Sequence, residues 1–283
     1  MFWQMVNVEH RKIFKRAILW IELALLALIV VGINAIFFAV LKGGSTGAES
    51  GLEEYLTWPD SFSASLSVSA GPNLGGLLII VLVGALVAQE YTWGTLQMWI
   101  SRGVPRPLFL GAKFAAILLP AVLIIMVPLV VGGLVSAVFS LLLLGGIPFA
   151  EVHWGQLGLE ALLYTYSLLP YAALAFFLAV ASRSTVVAIG GGLAYALLVE
   201  GIALQLIGSV LGGIWAQIGT YLPGGLAKGL LTLNSGLTVE VGDSPGFVTP
   251  FLEPGPAALG IGIYIVVLVA ASILIFRRQD LNV

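Results

Sequence analysis

Long apolar runs dominate the chain and recur six times between shorter polar stretches. A helix needs about 20 mainly apolar residues to cross the hydrocarbon core of a bilayer, and each run approaches or exceeds that length. The runs predict six spans, at residues 17–41, 72–89, 109–143, 159–181, 185–209 and 257–276. Pro120 and Pro128 interrupt the third run, which is therefore expected to be kinked, tilted or irregular at its end.

Composition supports this pattern. Of the 283 residues, 59% are hydrophobic and only 9% are charged, whereas about a quarter of a soluble chain is charged. The excess apolar surface is predicted to face lipid. The expected fold is an all-α membrane protein with a six-span transmembrane domain at 17–283. Residues 1–16 are too mixed, and the run after them too long, for a cleavable signal peptide.

Lysine and arginine lie almost entirely on one side of this predicted topology. The segments on that side hold Arg11, Lys12, Lys15, Arg16, Arg102, Arg106, Lys113, Arg183, Arg277 and Arg278. The other side holds only Lys42 and Lys228, which completes the twelve in the chain. Basic residues in short loops mark the cytoplasmic side. Both termini are therefore predicted to be cytoplasmic, in a plasma (cytoplasmic) membrane protein.

Several kinds of chemistry are missing from the sequence. The chain has no cysteine, and its two histidines, His10 and His153, are predicted to lie on opposite sides of the membrane, so a histidine metal site is not expected. A phosphate-binding loop needs Gly-Lys-Ser/Thr, and no Gly-Lys dipeptide occurs. The G-x-S-x-G pattern at 43–47 follows a span rather than a strand, which favours a loop over a hydrolase site. We expect no enzyme activity, no cofactor of its own and no nucleic-acid partner.

Polar side chains inside predicted spans are candidate functional groups by default. Glu22 lies near the start of the first span and is expected to reach or pair at the inner surface. Glu200 lies deeper, with Gln205 five residues later, and Asn34 lies in the first span. For Glu200 two alternatives stay open: a hydrogen bond within the bundle, or a role in lining or protonating a pathway. The Gly run at 190–192 favours close helix packing over a hinge.

Two long segments are predicted outside the membrane. Residues 42–71 are rich in Gly, Ser and acids and predict a partly ordered loop. Residues 210–256 begin apolar but are broken by Gly and Pro. They predict one or two short helices that dip into the outer leaflet rather than a further span.

The most informative stretch is residues 84–115, where the chain leaves the second span and enters the third. Tyr91 to Ile100 predicts a short amphipathic helix, and Glu90 is expected either to cap its start or to meet a basic group on a partner. Trp93 and Leu96 are predicted to share one face of it, since they lie three residues apart. Residues 101–107 turn the chain back, and Lys113 marks the next inner interface. A short aromatic-rich element joined directly to two spans is suited to transmitting a mechanical force to them.

This stretch resembles the permease subunits of ABC transporters of the type-2 exporter class. The residues that carry the resemblance are Glu90, Tyr91, Trp93, Gly94, Thr95, Leu96, Ser101, Arg102, Arg106 and Lys113. Thr92 departs from the pattern, because many relatives are basic there. A weaker resemblance extends along the chain: a basic amphipathic N-terminus, six spans, Tyr221-Leu222-Pro223 before the last span, and an Arg-Arg-Gln-Asp ending.

The resemblance implies a coupling element at 90–107 that sits in a cleft of a separate ATP-binding cassette subunit. The residues implied in coupling are Glu90, Tyr91, Trp93, Gly94, Thr95, Leu96 and Arg102. It also implies that the helix at 1–16 lies along the inner surface and touches that subunit. Its expected apolar face is Trp3, Val6, Ile13 and Phe14, with Arg11, Lys12, Lys15 and Arg16 toward phosphates and water.

The resemblance further implies two permeases, identical or paralogous, with two ATP-binding subunits that carry ATP and Mg. Two other interpretations stay open: a secondary transporter, and a non-transport subunit of a larger membrane complex. Co-purification of an ATPase chain separates all three. The apolar interior favours a hydrophobic or amphipathic cargo, while small ions and peptides also remain open.

Overall fold

The computed structural model describes residues 1–43, 49–94, 99, 103–203, 213–234 and 252–279. This part of the chain is helical and contains no strand. The helices are α1 (Phe2–Lys15), α2 (Ala17–Lys42), α3 (Glu49–Leu56), α4 (Ser61–Val68), α5 (Leu74–Thr92), α6 (Arg106–Leu143), α7 (Trp154–Ser182), α8 (Thr185–Ala194), α9 (Gly213–Thr220), α10 (Pro223–Leu231) and α11 (Pro254–Arg278). Short 3-10 turns occupy Phe149–Glu151 and Thr232–Asn234.

Within the described residues, six helices are long and apolar enough to cross a membrane: α2, α5, α6, α7, Thr185–Ile202 and α11. The chain is thus a multi-pass all-α membrane protein, and the six predicted spans are confirmed to within a few residues at most of their ends. Among the described ends, the largest difference is at the start of α7, which begins at Trp154 instead of residue 159. The last residues of the predicted fifth span, including Gln205, lie outside the described residues.

The second and fourth spans form the centre of the bundle. In their most apolar windows, 67% of α5 and 72% of α7 residues are buried, against 11% to 39% in the other four spans. Glycines permit the close contact of α5 with α8, because a Cβ at Gly192 would lie 2.6 Å from Ile80 Cγ2. Packing therefore explains Gly192, as predicted for its run. The four outer spans leave their apolar faces to lipid.

The N-terminal helix α1 folds back against the bundle. It ends at Arg16, whose extended backbone (φ −87°, ψ 130°) separates it from α2. The buried side of α1 is formed by Met5, Val6, Glu9 and Ile13. The expectation that Trp3 and Phe14 share this face is wrong, because Trp3 is 74% and Phe14 38% exposed. Positions 6 and 13 point into the protein, and positions 3 and 14 point away from it.

We call the end of the bundle that carries α1 and the end of α11 the basic end. At the other end, residues 49–56 and 61–68 form α3 and α4, which corrects the expectation of a loop across 42–71. Phe62 and Leu66 of α4 are buried. The Trp58 indole donates to the Gly133 carbonyl at 2.9 Å and pins this segment to α6. Burial of Phe62 and Leu66 stabilises this packing. The Gly- and Ser-rich composition of the segment is typical of loops, which is why the helices were not predicted.

The long segment after the fifth span contains the two short helices α9 and α10 within its described part, as predicted. That they dip into the outer leaflet stays a prediction. The third span is a single 38-residue helix with Pro120 and Pro128 inside it. At about 1.5 Å per residue it is much longer than the roughly 30 Å hydrocarbon core, so it extends beyond one crossing.

Candidate functional site

Four charged side chains form a closed ring at the basic end, where α1, α5 and α6 meet. Lys12 Nζ lies 2.6 Å from Glu9 Oε1 and 3.3 Å from Glu90 Oε1. Lys113 Nζ lies 3.0 Å from Glu9 Oε2 and 2.8 Å from Glu90 Oε1. Each lysine thus contacts both carboxylates, and two positive charges balance two negative ones. The ring ties the N-terminal helix to the end of the second span and the start of the third.

The ring is largely removed from water. Glu90 is 3%, Lys113 5% and Glu9 6% exposed. Burial raises the pKa of the Glu9 carboxyl, but the Lys113 and Lys12 ammonium groups outweigh burial and hold this pKa below its usual range. Burial lowers the pKa of Lys12, yet the Glu90 and Glu9 carboxylates raise it above its usual value. The Glu9 contribution to stability is therefore present at neutral pH and is lost as pH falls through its folded pKa.

Contacts between cations and aromatic side chains connect the four-residue charge ring to the segment after α5. The Arg16 guanidinium donates to Gln89 Oε1 at 2.6 Å and lies 5.0 Å from the centre of the Trp93 ring. Lys12 Nζ lies 5.3 Å from the centre of the Trp99 ring. Such cation–π contacts add to the ion pairs. The α1–α2 elbow and the start of the predicted coupling element are therefore in direct contact.

The C-terminal end of α11 joins the same assembly. Arg106 Nη1 donates to the carbonyl oxygens of Arg277 and Gln279, each at 3.0 Å, where the last carbonyls of a helix lack partners. Gln279 Nε2 donates to the Val180 carbonyl at 2.8 Å, and the Tyr91 hydroxyl donates to Gln279 Oε1 at 3.4 Å. Polar contacts thus connect the second, third, fourth and sixth spans at one end.

The structure corrects the prediction that a new helix starts at Tyr91 with Glu90 as its cap. Both residues lie in the last turns of α5, which ends at Thr92. Glu90 faces the ring instead of a partner subunit. Gly94 has φ +65°, a left-handed conformation that commonly follows a helix end. Trp93 follows the end of α5, and Leu96 lies outside the described residues, so the prediction that the two share a helical face stays a prediction.

Among the described coupling residues, Trp93 has a large exposed side chain that a partner could contact, with 62% of its surface exposed. Tyr91 is half-buried against Phe276, their ring centres 6.4 Å apart. Thr95, Leu96 and Arg102 lie outside the described residues, so their roles stay predictions. Gly94 is exposed, and a Cβ there would meet nothing within 4 Å. Its backbone conformation, rather than lack of space, explains why glycine occupies the position.

The four basic residues of the predicted interfacial helix separate into two pairs. Arg11 and Lys15 are exposed, which fits an expected approach to phosphates and water. Lys12 is instead a member of the ring, and Arg16 is bound to Gln89. The expectation that all four face outward is therefore wrong for Lys12 and Arg16. The i, i+3 spacing of Glu9 and Lys12 was the available signal for an ion pair on α1.

The polar residues inside the spans have different surroundings. Asn34 Nδ2 donates to the Val30 carbonyl of its own helix at 2.9 Å. Glu22 is 5% exposed, and neither carboxylate oxygen has a hydrogen-bond partner among the described residues. The expectation that Glu22 reaches or pairs at the inner surface is therefore wrong.

Glu200 lies in a π-helical segment, Tyr195–Ala203, a rare conformation that often marks functional sites. Its carboxylate accepts hydrogen bonds from the Tyr171 hydroxyl at 2.5 Å and from the Gly224 N–H at 3.3 Å. The Tyr195 hydroxyl is a third donor. These bonds connect the fifth span to α7 and to α10. They realise the first of the two alternatives, a hydrogen bond within the bundle.

Sequence reasoning missed two acids. Glu9 was not singled out, although it occupies the buried side of α1 and completes the ring. Glu160 in α7 is 2% exposed and accepts a hydrogen bond from Ser63 Oγ at 3.0 Å. That contact joins α4 to the centre of the bundle over 97 residues of sequence. Glu160 lies near the predicted start of a span, where an acid is usually solvated, so the sequence carried no signal for its burial.

A family model described as "Protein of unknown function (DUF2705)" matches residues 67–282. The match begins near the end of α4 and covers all spans except the first. The ring residues Glu90 and Lys113 lie inside the matched region, whereas Glu9 and Lys12 precede it. No curated protein matches the chain.

Proposed function

The chain belongs to the DUF2705 family of proteins of unknown function, and we propose that it is the permease subunit of an ATP-driven exporter. In this proposal two permeases, identical or paralogous, form the pathway. Two separate ATP-binding subunits supply ATP hydrolysis with Mg. Both termini and the basic end face the cytoplasm of a plasma membrane, since ten of the twelve basic residues are assigned to that side.

The observation that carries the proposal is the ring of Glu9, Lys12, Glu90 and Lys113. Its Lys12 lies against the Trp99 ring in the segment after α5, and the Arg106 and Gln279 contacts extend the charge ring to four spans. A force applied to this segment is expected to move several spans together, because packed interiors transmit displacement. A loop that only crossed the membrane surface would not need buried charge pairs at its base. The resemblance of 84–115 to exporter permeases supports the same assignment.

The first test is the composition of the purified assembly. The chain should be expressed with its neighbouring reading frames, solubilised mildly and weighed as an intact complex. We expect two permeases and two copies of an ATPase chain, with hydrolysis that depends on the complex. A stable monomer that transports substrate with no ATPase partner would count heavily against the proposal.

Sidedness is tested by single cysteines in this cysteine-free chain. Glu151 lies at the end opposite α1, and Pro105 lies at the basic end, and both are exposed. An impermeant thiol reagent added to intact cells is expected to label Glu151→Cys. Pro105→Cys is expected to react only after the membrane is permeabilised. The reverse pattern would overturn the orientation without affecting the six-span fold.

A second candidate function, secondary transport, is favoured by the Glu200 cluster. Glu200 is a half-buried carboxylate on a π-helical turn, with tyrosine donors from that turn and from α7, and an ionisable group inside a span is a candidate for ion coupling. In that case, reconstituted chain alone would transport in response to an ion gradient, and Glu200→Gln would abolish transport. Gradient-driven uptake by the isolated chain would therefore favour this candidate over the exporter.

A further inference from the structure

An open groove lies on the outward side of α1. Its lining consists of Asn7, His10, Arg11, Phe14 and Lys15. The opposite side of α1 is buried through Met5, Val6 and Ile13 and anchored by the charge ring. The groove therefore has a fixed orientation relative to the spans. It contains none of the residues that form the ring.

The polar groups of the groove suit an anion. Arg11 offers a planar fork of N–H donors and Lys15 a compact ammonium, both of which bind phosphate oxygens. The His10 Nε2 atom is buried and has no hydrogen-bond partner within the described part of the chain. None of the five lining side chains carries a carboxylate. The two exposed positive charges and the exposed Asn7 amide thus face one opening, whereas His10 Nε2 does not reach it.

The groove is continuous with the lipid-facing side of the first span. Trp20 Nε1 donates to the Phe14 carbonyl at 2.9 Å, and the two rings lie 6.2 Å apart across the Arg16 elbow. Trp20 is 56% exposed and begins a row of exposed apolar side chains on α2. That row continues through Ile21, Leu25 and Leu28. Tryptophan is enriched where a membrane protein meets the headgroup region.

We propose that this groove binds the phosphate headgroup of an anionic phospholipid, with the acyl chains along the exposed row on α2. Arg11 and Lys15 contact the phosphate, and the Asn7 amide supplies a hydrogen bond. Phe14 and Trp20 lie at the boundary between the headgroup region and the hydrocarbon core. The position of the groove beside a lipid-facing helix is what favours a lipid over a soluble phosphate. The proposal requires only a bilayer and is independent of ATP-driven export.

The test uses the chain alone, in nanodiscs of phosphatidylcholine with and without a minor fraction of phosphatidylglycerol. Native mass spectrometry counts the phosphatidylglycerol molecules retained by the chain, and titration gives their affinity. The double variant Arg11→Gln with Lys15→Gln is expected to bind about thirtyfold more weakly. Each basic side chain near an anionic surface contributes roughly fivefold.

The matched control is Arg277→Gln with Arg278→Gln, which removes the same charge from exposed positions at the same end of the bundle. It is expected to retain the lipid, and Arg11→Lys with Lys15→Arg is expected to retain most of the affinity. Equal losses in the control and in the groove variant would overturn the proposal, since only general surface charge would then matter. Displacement of the lipid by inorganic phosphate would also overturn it. Unchanged lipid binding in the Arg11→Gln, Lys15→Gln variant would overturn it as well.

Discussion

Lys113→Met is expected to lower the free energy of unfolding by about 3–5 kcal/mol, the usual cost of removing one partner from a buried charge group. Lys113 contacts both carboxylates of the ring, at 3.0 Å from Glu9 and 2.8 Å from Glu90. Its loss leaves two buried acids to share Lys12. Methionine keeps nearly the same length and volume, so the effect isolates charge from packing. Unfolding in mixed detergent micelles, followed by helical circular dichroism, measures the loss.

Two further variants show that charge balance causes this loss. Lys15→Met makes the same replacement at an exposed position of α1 and is expected to change stability by no more than about 0.5 kcal/mol. Glu9→Gln added to Lys113→Met removes the excess negative charge and leaves the Lys12–Glu90 pair. That double variant is expected to recover much of the lost stability. A Lys113→Met protein as stable as wild type would show that the ring contributes nothing to the fold.

The spans were predictable because their signal is local. Each apolar run exceeds what a soluble core requires, and its length matches the bilayer, so six helices follow from hydropathy alone. The short helices α3 and α4 were not predicted, because their glycine, serine and acidic neighbours are typical of loops. Phe62 and Leu66 pack against distant parts of the chain, and no local pattern indicates such a contact. Burial of Glu160 against Ser63 escaped prediction for the same reason.

The charge ring was not predicted for a different reason. Glu90 was predicted to take part in coupling and Lys113 to mark the inner interface, but their pairing requires α5 and α6 to be side by side. Glu9 and Lys12 join them only because α1 folds back at Arg16, and nothing in the sequence specifies the angle of that elbow. Charge in a short loop predicts sidedness well, whereas it does not predict which charges become buried. The inward position of Lys12, expected to face phosphates, follows from this geometry.

The coupling proposal makes its strongest prediction at Trp93. Its side chain is 62% exposed beside Gly94, at the start of the loop that the exporter resemblance assigns to the ATPase cleft. Tryptophans at the centre of interfaces often contribute 2 kcal/mol or more. Trp93→Ala is therefore expected to weaken ATPase binding by about thirtyfold or more and to abolish substrate-stimulated hydrolysis. The permease itself should remain folded, because Trp93 lies outside the buried core.

Trp154 provides the control, since it is 57% exposed but lies at the opposite end of the bundle. Trp154→Ala should leave ATPase binding and stimulation unchanged. Glu90→Ala is not a clean probe of coupling, because it empties one corner of the buried ring and destabilises the permease before any partner is added. Comparing complex assembly, basal hydrolysis and stimulated hydrolysis for the two tryptophan variants keeps these effects apart. Full assembly with normal stimulation in Trp93→Ala would rule out Trp93 as the coupling contact. The ring would then serve only to hold α1 against the bundle.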